Sequence, residues 1–195
     1  HAGPLSGVMP SSATLIVSVG QQTSGNPAEP ASRRADTAQV AALADLPPDW
    51  WGFEGVNAVV LHTADAQFVQ QLAARPAQLA ALELWVRMGG QLVLSVGRQG
   101  RELLAEGGPL AFLAPGQFDS VVPLRQGTML ETYAESSEPL SPGSPLQLEI
   151  SKLRDVQGRV ESFAGSGPGD LPLVVRSPHG FGQIVFVAFD LHAPP

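Results

Sequence analysis

The sequence predicts an α/β fold built on a mostly parallel sheet, with a β-rich C-terminal part that ends in a hairpin. Two observations carry this. Short, continuously apolar runs bounded by Gly or Pro, such as Thr14–Val19, Ala58–Leu61, Gln91–Val96 and Gln183–Phe189, have the form of strands buried on both faces. Helix-sized connections separate them in the first half, which is the order a parallel sheet requires because parallel neighbours need a crossover.

Thr14–Gly20 is the first such strand. Gln21–Arg34, with Pro27, Pro30, Gly25 and several Ser, Asn and Gln, is too broken for a helix and reads as a surface loop. Ala38–Leu43 fits a short helix or a strand, and Pro47-Pro48, which stops it after a strand-like length, together with the lack of a helical cap, favours the strand. After the turn Asp49–Gly55, Ala58-Val-Val-Leu61 is the third strand. Asp65–Arg75 leads into Pro76–Met88, a helix opened by Pro at its first position, striped by Leu79, Leu82 and Leu84-Trp85-Val86, and closed by Gly89-Gly90. Gln91–Gly97 is the next buried strand. Beyond it the pattern weakens: Gly107–Phe118 is rich in Gly and Pro, Val121–Leu124 is a short strand, and Glu135–Pro145 is a Ser/Pro/Glu loop. Leu146–Leu153 and Arg159–Phe163 alternate as half-buried strands do. Leu171–Arg176 and Gln183–Phe189 flank Ser177–Gly182, a hairpin with a six-residue turn. The expected organisation is one domain over 12–192 with irregular excursions at 21–37 and 130–170.

Composition removes several classes of function. With no Cys among 195 residues, disulfide frameworks, thiolate zinc sites and cysteine nucleophiles are excluded. A net charge of −7 without a basic run lacks the electrostatic footprint of a nucleic-acid binder. No apolar run approaches the roughly 20 residues that cross a bilayer as a helix. The chain opens at His1 and stops at Pro194-Pro195, as an excised segment of a longer protein would.

Leu46-Pro-x-x-Trp50, Gly52-Phe53, Val56-Asn57-Ala-Val-Val-Leu61, Gln78-x-x-Ala81-Leu82, Trp85-Val86 and Gly89-Gly90-x-Leu92-Val-Leu94 together resemble the class I glutamine amidotransferase-like superfamily. More narrowly, they are similar to uncharacterised amidotransferase-like domains of large membrane-anchored bacterial proteins. The closing Gly180-Phe-Gly-Gln-Ile-Val-Phe-Val-Ala-Phe-Asp190 resembles the final hairpin strand of that superfamily. The resemblance spans most of residues 12–192 and implies a flavodoxin-like three-layer sandwich. It also places the family's nucleophile turn at Ser95-Val-Gly-Arg-Gln-Gly100, where no Cys stands, and the family's His-x-Glu pair at Asp190-Leu-His192, where no Glu follows. The implied function is therefore a domain without amidotransferase chemistry, needing no cofactor. It would serve binding or assembly with neighbouring domains of its parent chain or another envelope protein, as a soluble segment on the extracytoplasmic side.

Other chemistries are readable in the residues. A serine hydrolase would use Ser95 with His192 or His62 as base, although Ser95 lacks the G-x-S-x-G setting. The turn Gly97-Arg98-Gln99-Gly100 lies where open α/β sheets bind ligands, just beyond a strand's carboxyl end, and its amides and Arg98 or Arg101 suit an anion. His62, Asp65, His179 and His192 are too scattered for metal-ligand spacing. A sugar-binding module would need Trp50, Trp51 and Phe53 along an exposed groove, whereas packing against the sheet end is the plainer role for them. Arg33-Arg34 and the acidic stretch Glu131–Glu138 read as solvated loop charges.

Overall fold

A computed structural model of the chain describes residues 14–20, 35–136, 148–167 and 169–191. The loop expected at Gln21–Arg34, with its Arg pair, lies outside them. So do most of Glu135–Pro145, the end of the acidic stretch, and His192.

Seven strands form one sheet in the order β2-β1-β3-β4-β9-β8-β7. Its members are β1 (Leu15–Val19), β2 (Asp36–Val40), β3 (Ala58–His62), β4 (Gln91–Ser95), β7 (Arg159–Ala164), β8 (Leu171–His179) and β9 (Gly182–Val187). The first five in spatial order run parallel, and β8 and β7 are antiparallel additions. A separate antiparallel pair, β5 (Gln117–Leu124) and β6 (Leu148–Arg154), forms a second, two-stranded sheet. The fold is thus mixed α/β on a mostly parallel sheet, as the apolar runs predict.

Register follows from burial. Val59 and Leu61 of β3, Leu92 and Leu94 of β4, and Ile184 and Phe186 of β9 point into the main core, because side chains alternate along a strand. The intervening Val185 and Val187 form a smaller cluster with Val174 on the opposite face. Two helices join β3 to β4. The first, α1 (Ala66–Ala73), is absent from the sequence reading, which leaves Asp65–Arg75 unassigned. Asp65 starts it as an N-cap whose Oδ1 accepts the Gln67 N–H at 2.7 Å, and Phe68, Val69 and Leu72 form its buried stripe. The second, α2 (Pro76–Arg87), has Pro at its first position as predicted. It ends in a Schellman turn: Gly89 N–H donates to Val86 O, Gly90 N–H donates to Trp85 O, and Gly89 takes φ +124°. A Cβ on Gly90 would sit 2.5 Å from the Trp85 ring, so the helix can fold back into β4 only through a glycine.

Other boundaries differ from the sequence reading for identifiable reasons. The second strand ends at Val40, and Leu43 instead anchors a 3-10 turn, fully buried in the core. The fifth strand is eight residues long because β6 pairs along it, with an irregularity at Asp119, and that non-local partner is one that periodicity cannot reveal. The final hairpin turns on Gly180 and Phe181 alone, not on six residues: β8 continues through Pro178 and His179, and His179 pairs with Gly182. Pro178 is tolerated because β7 stops pairing with β8 at Arg176, so its missing N–H removes no bond from that ladder. Short helices α3 (Gly100–Leu104) and α4 (Thr128–Tyr133) and 3-10 turns at Trp50–Phe53 and Ala111–Leu113 complete the described elements.

Candidate functional site

The carboxyl ends of β1, β3, β4 and β9 gather Gly20, His62-Thr63, the Ser95–Gly100 turn and Ala188–Asp190 at one pole. Strand order reverses between β1 and β3, the position at which doubly wound sheets open a crevice. Gly20, at φ +91°, allows close approach there, since a Cβ would meet the His62 carbonyl.

Ser95 ends β4 and is 1% exposed. Its hydroxyl donates to Phe189 O at 2.8 Å and accepts the Leu191 N–H at 3.1 Å, so its proton is directed at a main-chain carbonyl. His62 is the cross-strand register partner of Ser95 and is equally buried. Thr63 Oγ1 donates to Ser95 O at 2.9 Å, fixing the strand end from the other side. The third member of the hydrolase reading, His192, lies outside the described residues.

The turn that follows is filled by the chain itself. Gly97 and Gly100 are buried, Arg98 is exposed and Gln99 is half-buried at the start of α3. Gly97 N–H donates to Asp190 Oδ1 at 3.2 Å, and the Arg98 amide also binds that carboxylate. The amides that would cradle an external anion therefore hold an internal one. Burial pushes the Asp190 carboxyl above its usual range, against the opposing pull of the two amides and Arg98. Behind the turn, Ser151 Oγ donates to Gly97 O at 2.6 Å and Ser151 N–H donates to Ala188 O at 2.7 Å. A Cβ on Gly100 would strike Ser151 and Phe118, so that glycine serves close packing of the β5–β6 pair against the sheet end, whereas a Cβ on Gly97 would strike Asp190. Arg98 turns away and donates to Ala64 O at 2.9 Å.

Asp190 and Ser151 are the residues the sequence reading misses as parts of this pole. Asp190 carries a usable signal, an acidic residue directly after the last apolar strand. Ser151 carries none, because its role depends on how β6 packs.

No protein-family model matches the chain, and no curated protein does. Solved structures do. Cytoplasmic protein STM1381 from Salmonella typhimurium LT2 superposes with a TM-score of 0.59 at 16% identity, over 93% of this chain and 90% of that one. Cytoplasmic protein STM3548 from Salmonella typhimurium gives 0.56 at 14% identity, over 91% and 87%. The exo-β-1,4-mannosidase Op5Man5 from Opitutaceae bacterium strain TAV5 gives 0.52 at 12% identity, over 93% of this chain but only 32% of that enzyme. At such identities the likeness is one of fold.

The remaining sequence-selected residues are dispersed. Asp65 caps α1, and His179 Nε2 lies 3.6 Å from Glu83 Oε1 at the far pole. Among the described residues no group of three or more His, Asp or Glu could hold a metal ion. Phe53 is 2% exposed and stacks at 5.5 Å on Trp85, Trp50 packs against the core, and Trp51 stands 60% exposed, so the three aromatics do not share one groove. No helix among the described residues is long and apolar enough to cross a membrane.

Proposed function

We propose that this chain is a non-catalytic, amidotransferase-like domain with a flavodoxin-like three-layer arrangement, serving binding or assembly within a larger bacterial envelope protein. One observation carries the reading. At the turn where the resemblance puts a nucleophile, the Ser95 hydroxyl is bonded to two main-chain groups and the turn amides are bonded to Asp190. A nucleophile needs an exposed hydroxyl beside a base, and an anion site needs vacant donors. The pole answers neither description.

That a fold of this extent makes up about a third of a glycosidase supports its use as a module within larger chains. Its partners would be neighbouring domains of the parent or another envelope protein. The test is turnover of glutamine and of p-nitrophenyl esters by the purified chain. The expected result is no turnover above buffer, with no difference between wild type and Ser95→Ala. Ester hydrolysis abolished by Ser95→Ala would overturn the reading in favour of the hydrolase.

A further inference from the structure

At the opposite pole, where the parallel strands begin, a cleft of about 490 Å³ is lined by Asn57, Gln91, Arg159, Arg176, Phe181 and Gln183, among others. That volume lies within the range of small-molecule sites. Its charge is unbalanced. Arg159 and Arg176 stand directly opposite each other in the β7–β8 ladder, an arrangement of like charges that disfavours the pairing. Glu161 is held by Arg176, whose Nε and Nη2 donate to its two oxygens at 2.7 and 3.3 Å, and by the Tyr133 hydroxyl, while Arg159 acts on it only electrostatically from beyond ion-pair distance. Arg159 is exposed, with no carboxylate within ion-pair distance among the described residues.

The rim is equally unusual. Phe181 is 90% exposed, yet its backbone is tied down. Its N–H donates to Arg87 O at 2.8 Å, Gly180 at φ +66° lies against the same residue's backbone, and Gln183 N–H donates to Gly90 O at 3.2 Å. The hairpin tip is thus fastened to the end of α2 while presenting a bare aromatic ring. With its backbone already fixed, such an aromatic has only two side-chain torsions to order on binding, and aromatic residues are common anchors of recognition. Beside it stand planar amides, each able to donate and accept, as hydroxyl groups require. Gln183 keeps its NH₂ group after its Oε1 accepts from Arg176, and Asn57 keeps its own after accepting from Leu15 N–H.

We propose that this cleft binds an acidic saccharide. Arg159 pairs the sugar carboxylate, the amides of Asn57, Gln91 and Gln183 meet ring hydroxyls, and Phe181 stacks on the apolar face of the ring. The proposal rests on the reading that the domain binds without catalysing, and adds a ligand class to it.

The experiment is calorimetric titration of the intact chain with trigalacturonate, alongside an uncharged galactose trisaccharide and acetate, with the products examined afterwards. Trigalacturonate is expected to bind, more weakly as salt rises. Phe181→Ala and Arg159→Gln, both at exposed positions, are each expected to reduce affinity about tenfold or more without lowering the melting temperature. The neutral trisaccharide and acetate are expected to bind at least about tenfold more weakly. No binding of trigalacturonate, equal binding by both variants, or acetate binding as tightly would overturn the proposal. Cleavage of the trisaccharide would overturn instead the non-catalytic reading beneath it.

Discussion

Ser95→Ala separates a structural serine from a chemical one. The substitution deletes a hydroxyl that donates to Phe189 O at 2.8 Å and accepts from Leu191 N at 3.1 Å, at a side chain that is 1% exposed. Each bond contributes about 0.5–1.5 kcal/mol net, and groups left unpaired in a dry site cost more than exposed ones. Leu191 is partly open to solvent, so water can take over its N–H while the Phe189 carbonyl loses its donor. A total of about 2 kcal/mol follows. For a chain of this length that is a fall of roughly 4–8 °C in melting temperature. Differential scanning calorimetry at neutral pH measures it directly. Ser120→Ala is the control, since that hydroxyl only touches Asp119 at 3.3 Å on the surface and should shift nothing. A Ser95→Ala melting temperature indistinguishable from the Ser120→Ala value would refute the assignment of Ser95 as a tie between β4 and the segment after β9.

Three other outcomes are expected. Asp190→Asn keeps an acceptor for the Gly97 amide while removing a buried charge. Because the native carboxyl holds its proton more tightly than the unfolded one, wild-type stability falls as pH rises through the window between the two values. Denaturant titrations should therefore find Asp190→Asn at least as stable as wild type at neutral pH, and Asp190→Ala about 1–3 kcal/mol weaker from unpaired amides. Glu161 has the opposite sign: the Arg176 hydrogen bonds hold its carboxyl below the usual range, so its contribution is present above the unfolded value and lost as pH falls through the folded one. Glu161→Gln should flatten the acid limb of a stability-against-pH curve, and an unchanged limb would count against that pair. Gly90→Val should yield no soluble folded protein, because its Cβ would lie only 2.5 Å from the Trp85 ring; a recoverable protein with a wild-type circular-dichroism melt would contradict the tight turn.

What the residues disclosed in advance was local. The strands β1, β3, β4 and β9 are apolar runs cut off by Gly or polar residues, and α2 carries its own start and stop in Pro76 and Gly89-Gly90. The helix α1 carries local signals too, in the Asp65 cap and the spacing of Phe68, Val69 and Leu72, although Ala and Gln dilute its stripe. Pro178 misled by suggesting a turn where the ladder had simply run out of a neighbour. The candidate site was half visible. The turn at Ser95–Gly100 was marked by its glycines and its place after a buried strand, but its occupant was not, since Asp190 meets Gly97 across 93 residues of chain. The cleft at the other pole was invisible, because Arg159 and Arg176 become neighbours only through the β7–β8 register.

The position of β9 has a consequence for how the chain reaches this state. It lies beside β4 in the sheet, yet Ser95 and the Phe189 carbonyl that it grips are 94 residues apart. Everything nearer the N-terminus can pair through shorter loops, whereas this seam waits for the longest closure in the sheet, the kind of contact that sets a slow rate. During synthesis, the flank of β4 that will receive β9 must emerge with its hydrogen-bonding edge open, and edges of that kind invite foreign strands. Of the seven strands in this sheet, the last to be made is thus the one that joins its two halves.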